Sequence, residues 1–183
     1  GSEMCIRDSP TTIPGYVETE WHGGKAWVQP EYPNLIFARD GEIYTLNGLR
    51  YLVIGGAYSV DKYYRLSHGW GWWPDEQPSP EIKTYVEQQI QNNPFDIVLS
   101  HTCPFKYEPT EMFLGGIDQS TVDDSTERWL DTIEEAIEYK AWFCGHWHTD
   151  KRIDKMHFLF HSFESDEQFR NSAEELSLIH ISE

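Results

Sequence analysis

The sequence contains too few cysteines to form a disulfide framework. Only three are present, Cys5, Cys103 and Cys144, and the first lies in a terminal stretch that reads as foreign to the protein. The other two favour a reduced, cytoplasmic compartment. Each lies two residues from a histidine discussed below. We expect both to be small buried apolar residues, and ligation of a metal by their thiolates is the open alternative.

Basic residues and long apolar runs are also scarce. The chain has 14 lysines and arginines against 31 aspartates and glutamates, which gives a formal net charge of −17. This charge repels a polyphosphate backbone, so we expect no nucleic-acid partner. No apolar run has the length that a bilayer crossing needs, so we expect no membrane partner either. Glycine-rich phosphate-binding loops and serine-nucleophile motifs are also missing from the sequence.

The two ends of the chain encode an inverted repeat. Residues 4–9 read Met-Cys-Ile-Arg-Asp-Ser, and residues 176–181 read Leu-Ser-Leu-Ile-His-Ile. A single DNA stretch encodes the first hexapeptide on one strand and the second on its reverse complement, and the match continues to both chain ends. Such inverted copies resemble the mosaic-end adapter of transposase-made sequencing libraries. We therefore expect residues 1–9 and 176–183 to be adapter-derived, and residues 10–175 to be one domain or part of one.

Apolar patterning predicts three strands in the first part of the protein. They are residues 34–38, 42–46 and 49–54. The tight-turn sequences Arg39-Asp40-Gly41 and Asn47-Gly48 separate them, so we expect a meander of hairpins. Residues 10–33 are rich in glycine, proline and aromatic residues, and we expect them to form an irregular but ordered surface loop.

Two helices and two further strands follow, before a closing hairpin. Ser79-Pro80-Glu81 carries an N-cap serine and a first-turn proline, and Asp124 precedes a second helix. The apolar faces of these helices are Ile82, Tyr85, Val86 and Ile90 in the first, and Trp129, Leu130, Ile133 and Ile137 in the second. Strand–helix–strand alternation after a meander predicts an α/β fold with a mixed sheet.

Between these elements lie two irregular segments and a closing hairpin. The insertion of residues 63–78 contains Trp70, Trp72 and Trp73. It could cover a site or bind a partner, and we favour packing against the sheet edge. The loop of residues 103–123 follows a predicted strand and is a candidate for substrate contacts. In the closing hairpin, residues 150–162, we expect His157 and His161 to face away from the core and leave both out of the site.

Histidines follow two of the predicted strands directly. His101 ends the apolar run of residues 95–100, and Gly145-His146-Trp147-His148 follows the run of residues 141–144. Carboxyl ends of parallel strands share one edge of a sheet, and we expect Gly145 to allow a tight exit there. A spacing of two in an extended segment places His146 and His148 on one side. Imidazole binds zinc, iron, nickel or manganese, so we predict a metal site at His101, His146 and His148.

Gly145-His146-Trp147-His148 and Leu99-Ser100-His101 resemble motifs of the calcineurin-like metallophosphoesterase family. The segment of residues 53–61 is similar to that family's middle strand and its following loop. The resemblance implies an αββα fold, in which helices sandwich mixed sheets, and hydrolysis of phosphate esters by a hydroxide that bridges two divalent ions. It also implies that His101 and His146 bind one ion and that His148 binds the other.

The sequence departs from that family in its front portion. The motifs Asp-x-His, Gly-Asp-x-x-Asp and Gly-Asn-His-Glu/Asp occur nowhere in it. We therefore expect a domain truncated at its N-terminal half, without the bridging aspartate, the asparagine ligand and the histidine proton donor, and inactive on its own. No catalytic or substrate-binding residue is assigned.

Two alternatives to a phosphoesterase remain open. The chain could be a non-catalytic metal-binding or protein-interaction module that presents Trp70, Trp72 and Trp73. The histidines could also be ordinary core residues that bind no metal.

Overall fold

The computed structural model describes residues 15–73 and 75–170. The segments predicted to be adapter-derived, residues 1–9 and 176–183, lie outside the described residues. The strands are β1 Val17–Trp21, β2 Gly24–Gln29, β3 Tyr32–Ala38, β4 Ile43–Leu46, β5 Leu49–Ile54, β6 Ile97–Ser100, β7 Ala141–Cys144, β8 Lys151–Ile153 and β9 Met156–Phe158. The helices are α1 Lys62–Ser67, α2 Pro80–Asn92 and α3 Ser125–Ala136. Strands and helices together confirm the predicted mixed α/β class.

A three-stranded antiparallel sheet, β1-β2-β3, occupies most of the stretch expected to be irregular. That expectation was wrong for residues 17–29. The hairpin turn between β1 and β2 is made by His22 and Gly23, whose φ angles are 49° and 90°. Two consecutive residues with positive φ match the right-handed twist of the flanking strands. The sequence signal was a His-Gly pair between two aromatic-containing runs.

The larger sheet has six strands in the order β4-β5-β6-β7-β9-β8. Strands β5, β6, β7 and β9 run parallel to one another, and the edge strands β4 and β8 are antiparallel to their neighbours. The Asn47-Gly48 hairpin between β4 and β5 forms as predicted, with φ angles of 51° and 83°. The predicted hairpin between β3 and β4 does not form, because β3 pairs with β2 in the other sheet.

Helices α2 and α3 pack on one face of the six-stranded sheet. The side-chain oxygen of Ser79 accepts the backbone N–H of Ile82 at 3.3 Å, which confirms the predicted cap of α2. Val86 of α2 and Leu130 and Ile133 of α3 are almost fully buried against β5, β6, β7 and β9. The helices therefore fix the sheet whose parallel strands end at the histidines.

The opposite face of the six-stranded sheet carries a smaller apolar cluster. Leu49, Tyr51 and Ile97 are buried there, and Phe169 packs on them from the far end of the described chain. The described structure thus contains an antiparallel sheet, a mixed sheet and helices. The specific αββα arrangement stays a prediction. None of the helices in the described ranges has the length and apolar character that a bilayer crossing requires.

Two glycines with positive φ allow a matched test of packing against backbone strain. A Cβ at Gly41 would lie 2.6 Å from the Tyr85 ring, whereas one at Gly48 would meet nothing within 4 Å. We expect Gly48→Ala to cost about 1 kcal/mol from left-handed strain, and Gly41→Ala about 3 kcal/mol because a clash is added. Urea denaturation of both variants measures the difference. Equal losses would show that Tyr85 moves freely away.

Candidate metal centre

The carboxyl ends of β5, β6, β7 and β9 form one continuous edge. Backbone hydrogen bonds extend the pairing by one residue: His101 N donates to Ile54 O at 3.1 Å, and Gly145 N donates to His101 O at 3.1 Å. Leu159 N donates to Cys144 O at 2.9 Å. The first residues after three adjacent strands are thus held in register, which is the arrangement expected from parallel strands.

His101 and His146 are brought together at this edge. Nδ1 of His146 lies 3.2 Å from Nε2 of His101, and the two ring centroids are 5.0 Å apart. The residues are 45 positions apart in the sequence. The predicted convergence of two strand-end imidazoles is therefore present in the structure, and a metal role for the pair stays a prediction.

The electrostatic surroundings of His146 keep its imidazole neutral. Burial, and to a smaller extent the neighbouring His101 and His148, together lower its pKa from 6.5 to about 3. A neutral ring has a lone pair available for a cation. Because the folded-state pKa lies below the unfolded value, His146 withdraws stability as the pH falls from 6.5 toward 3.

His148 lies at the exposed end of the motif. Its ring stacks on Phe160, with centroids 4.7 Å apart and planes at 16°. Its charge acts on His146, which places the two in electrostatic reach of each other. The described structure therefore holds two imidazoles in contact and a third beside them.

The backbone reason given for Gly145 was wrong. Gly145 does not have a positive φ, whereas His146 and His148 do, at 64° and 49°. The segment is not extended after the strand, so the alternation expected of an extended chain does not apply. Left-handed non-glycine residues cost about 1–3 kcal/mol each and cluster at functional sites, where the surroundings hold them. Two residues with positive φ among three consecutive positions at one sheet edge are consistent with a functional site.

The two cysteines are buried, as expected. Cys103 is 0% exposed and Cys144 is 4% exposed. Burial raises the pKa of both thiols, that of Cys144 to about 12. Both sulfurs are therefore protonated at neutral pH, which favours the small apolar role over thiolate ligation.

Asp40 is a carboxylate at this edge that the sequence analysis assigned only to a turn. Its Oδ1 accepts the backbone N–H of Gly55 at 2.6 Å. Gly55 directly follows β5, next to the Ile54 carbonyl that receives the His101 N–H. Asp40 thus holds the backbone at the carboxyl end of β5. The signal available in the sequence was only an Asp-Gly pair, which is typical of turns.

A metal ion needs several ligands grouped around one point. Among residues 15–73 and 75–170, no three histidine, cysteine, aspartate or glutamate side chains are grouped so that they could hold a metal ion. The neutral His146 ring and the adjacent His101 nitrogen fit part of an imidazole-rich coordination sphere. A metal role for the pair therefore stays a prediction.

The loop of residues 103–123 contacts the histidine motif. It contains three short 3₁₀ turns, and its Phe113 stacks on Trp147, with ring centroids 5.7 Å apart. Lys151 Nζ, just beyond the motif, pairs with Glu111 of the same loop at 2.5 Å. The loop therefore lies beside the histidine motif, and its role in substrate contact stays a prediction.

The aromatic insertion is partly exposed. Residues 62–67 form helix α1, which the sequence analysis did not predict, and Trp70 beyond it is 55% exposed. Trp72 and Trp73 are half-buried, and Lys62 Nζ lies 3.9 Å from the centroid of a Trp72 ring. Of the three tryptophans, Trp70 therefore offers the most surface to a partner.

His157 faces away from the helix-covered core, as predicted, but it is not a surface residue. It is 0% exposed, and its Nδ1 lies 2.7 Å from Glu164 Oε2. The segment after β9 covers this face of the sheet, a long-range contact that alternation alone does not reveal. His161 is exposed, with Nδ1 3.5 Å from Asp150 Oδ2.

Glu108, in the loop beside the motif, provides a pH-dependent prediction. Burial and the charge of Glu127 raise its pKa from 4.5 to about 7. The folded state therefore binds more protons than the unfolded state between pH 4.5 and 7, so this residue lowers stability as the pH rises through that range. We expect Glu108→Gln to stabilise the chain by about 1 kcal/mol at pH 8, a value reduced for solvent screening, and by almost nothing at pH 4.5.

Urea denaturation at the two pH values measures this effect. Glu135→Gln, at an exposed position of α3, is the matched control and should show no such difference. A Glu108→Gln gain that is equal at both pH values would contradict the electrostatic explanation.

No protein-family model, curated protein or solved structure matches this chain. The family resemblance of the histidine motifs therefore stays a prediction.

Proposed function

We propose that this chain is part of a metal-dependent phosphoesterase. The observation that carries the proposal is the contact between His101 and His146 at the carboxyl ends of two adjacent parallel strands. In this proposal the pair holds one divalent ion, manganese, iron, zinc or nickel, and His148 belongs to a second. Divalent ions in such a site lower the pKa of water and neutralise charge on phosphate oxygens.

The chain's own residues would supply binding and orientation. The neutral His146 ring binds a cation without competition from a proton above about pH 4. The backbone hydrogen bond from Gly145 N to His101 O fixes the distance between the two segments that carry the histidines. The remaining ligand motifs of the family pattern do not occur in residues 10–175, so we expect this chain alone to form an incomplete site. A cytoplasmic location fits the two buried protonated thiols.

Hydrolysis of p-nitrophenyl phosphate with added Mn²⁺ tests the proposal. We expect the purified chain to be weakly active or inactive, and any activity above background to require the metal and to disappear in His148→Ala. The control is His68→Ala, which removes an exposed histidine on a different element. Robust hydrolysis that survives His148→Ala would refute the assignment.

The exposed aromatic residues favour a second candidate, a non-catalytic interaction module. Tyr63, Tyr64 and Trp70 are each more than half exposed. Exposed aromatic residues of this kind are enriched at protein interfaces. Tight stoichiometric zinc binding without any hydrolysis, lost in His101→Ala, would favour this candidate over the enzyme.

A further inference from the structure

The carboxylate of Asp150 accepts hydrogen bonds from the backbone N–H groups of residues 160–162. Its Oδ1 accepts the N–H of Phe160 at 2.8 Å and that of Ser162 at 3.0 Å, and its Oδ2 lies 3.1 Å from His161 N. The Ser162 hydroxyl donates to Oδ1 at 2.5 Å. These donors, the Ser162 hydroxyl first, hold the pKa of Asp150 well below its usual range. One charged side chain thus fixes the backbone of an exposed turn.

That turn carries the ring that stacks on His148. Phe160 is 38% exposed, so it is not a core residue and its position depends on the turn. Its plane lies at 16° to the His148 imidazole, with centroids 4.7 Å apart. His148 is held at a φ of 49°, which a histidine keeps only when its surroundings impose it.

These contacts connect His148 to Phe160 through Asp150. Asp150 lies two residues after His148 and fixes the turn of residues 160–162. This turn places the Phe160 ring against the His148 imidazole. We propose that Asp150 is a positioning residue for His148 and acts through Phe160. The purpose of this arrangement rests on the metal-dependent function proposed above, whereas the contacts themselves do not.

The chemical consequence follows from how a metal-binding imidazole is ordered. A ring with one face covered keeps its plane, and its in-plane nitrogens can meet a cation without first losing rotational freedom. Partners that orient a ligand contribute about 10- to 100-fold in metal affinity. Loss of Asp150 should therefore weaken binding at His148 while leaving the His101–His146 contact in place.

NMR of the full chain with labelled histidines tests the positioning directly. We expect the ring protons of His148 to show a ring-current shift from Phe160. The shift should be lost in Asp150→Ala, which removes the acceptor oxygens, and in Phe160→Leu, while His101 and His146 keep their resonances. Phe160→Tyr retains the stacked ring and should keep the shift. Asp131→Ala is the matched control, because that carboxylate accepts a backbone N–H from Lys106 at 3.1 Å in another part of the fold.

Metal titration separates this inference from the proposed function. With Zn²⁺ followed through the same resonances, we expect about a 10-fold or greater loss of affinity at His148 in Asp150→Ala and none in Asp131→Ala. If no metal binds even the unaltered chain, the proposed function fails while the ring-current result still decides the positioning. An unchanged His148 spectrum in Asp150→Ala would overturn the inference. Should that variant not fold, an unchanged spectrum in Phe160→Leu would overturn it equally.

Discussion

Replacing His146 with alanine should weaken binding of Mn²⁺ or Zn²⁺ by about 100-fold or more, because loss of even an outer partner of a metal ligand costs about 10- to 100-fold. The ring is the neutral member of a contact pair, with Nδ1 3.2 Å from Nε2 of His101. Its low pKa means that no proton must leave before a cation binds at neutral pH. His101→Ala should cause a similar loss, since it removes the other half of the pair.

Isothermal titration calorimetry of the purified chain measures this effect. His68→Ala is the matched control, since this exposed ring bonds through Nδ1 to the Tyr64 carbonyl at 2.9 Å on helix α1. It should leave metal affinity unchanged. Equal affinity in His146→Ala and His68→Ala would remove the pair from any metal site.

Replacing Trp142 with alanine should lower the free energy of unfolding by about 4 kcal/mol, as for other buried aromatic residues in a core. Trp142 is 0% exposed and is the largest fully buried side chain of the described residues. Its Nε1 donates to Ser100 Oγ at 2.7 Å, which links β7 to β6 directly below the two histidines. The substitution opens a cavity and leaves the half-buried Ser100 hydroxyl with one partner fewer.

Urea denaturation compares this variant with Trp70→Ala, which removes the same side chain from a position that is 55% exposed. We expect the control to change stability by only about 0.5 kcal/mol. Trp142→Phe should fall between the two, because it keeps most of the volume and loses the hydrogen bond. Similar losses at positions 142 and 70 would show that Trp142 is not central to the core.

The extent to which the fold was predictable depended on how locally each feature is encoded. The cap at Ser79, the apolar stripe of α3 and the Asn47-Gly48 hairpin each rest on residues a few positions apart, and all three form. The small sheet was missed because its strands are half-exposed and do not alternate cleanly. The predicted pairing of β3 with β4 was wrong, because β3 pairs with β2 in the smaller sheet. Local sequence patterns do not determine which of two sheets a strand joins.

The candidate site shows the same division. Histidine at the ends of two parallel strands is a pattern visible in the sequence, and it led to the contact between His101 and His146. The stacking of Phe160 on His148 is not visible there, because it depends on a turn fixed by Asp150. The same is true of Asp40, whose carboxylate reaches Gly55 across the strand edge.

Short-range periodicity and turn preferences are enough to predict the mixed α/β class, the positions of most strands and helices, and which histidines follow the parallel strands. Tertiary packing sets three other features: the left-handed backbone at His146 and His148, the burial of His157, and the carboxylates that reach the sheet edge. These features depend on side chains far apart in the chain, and their contacts exist only once the sheet and its covering segments have packed.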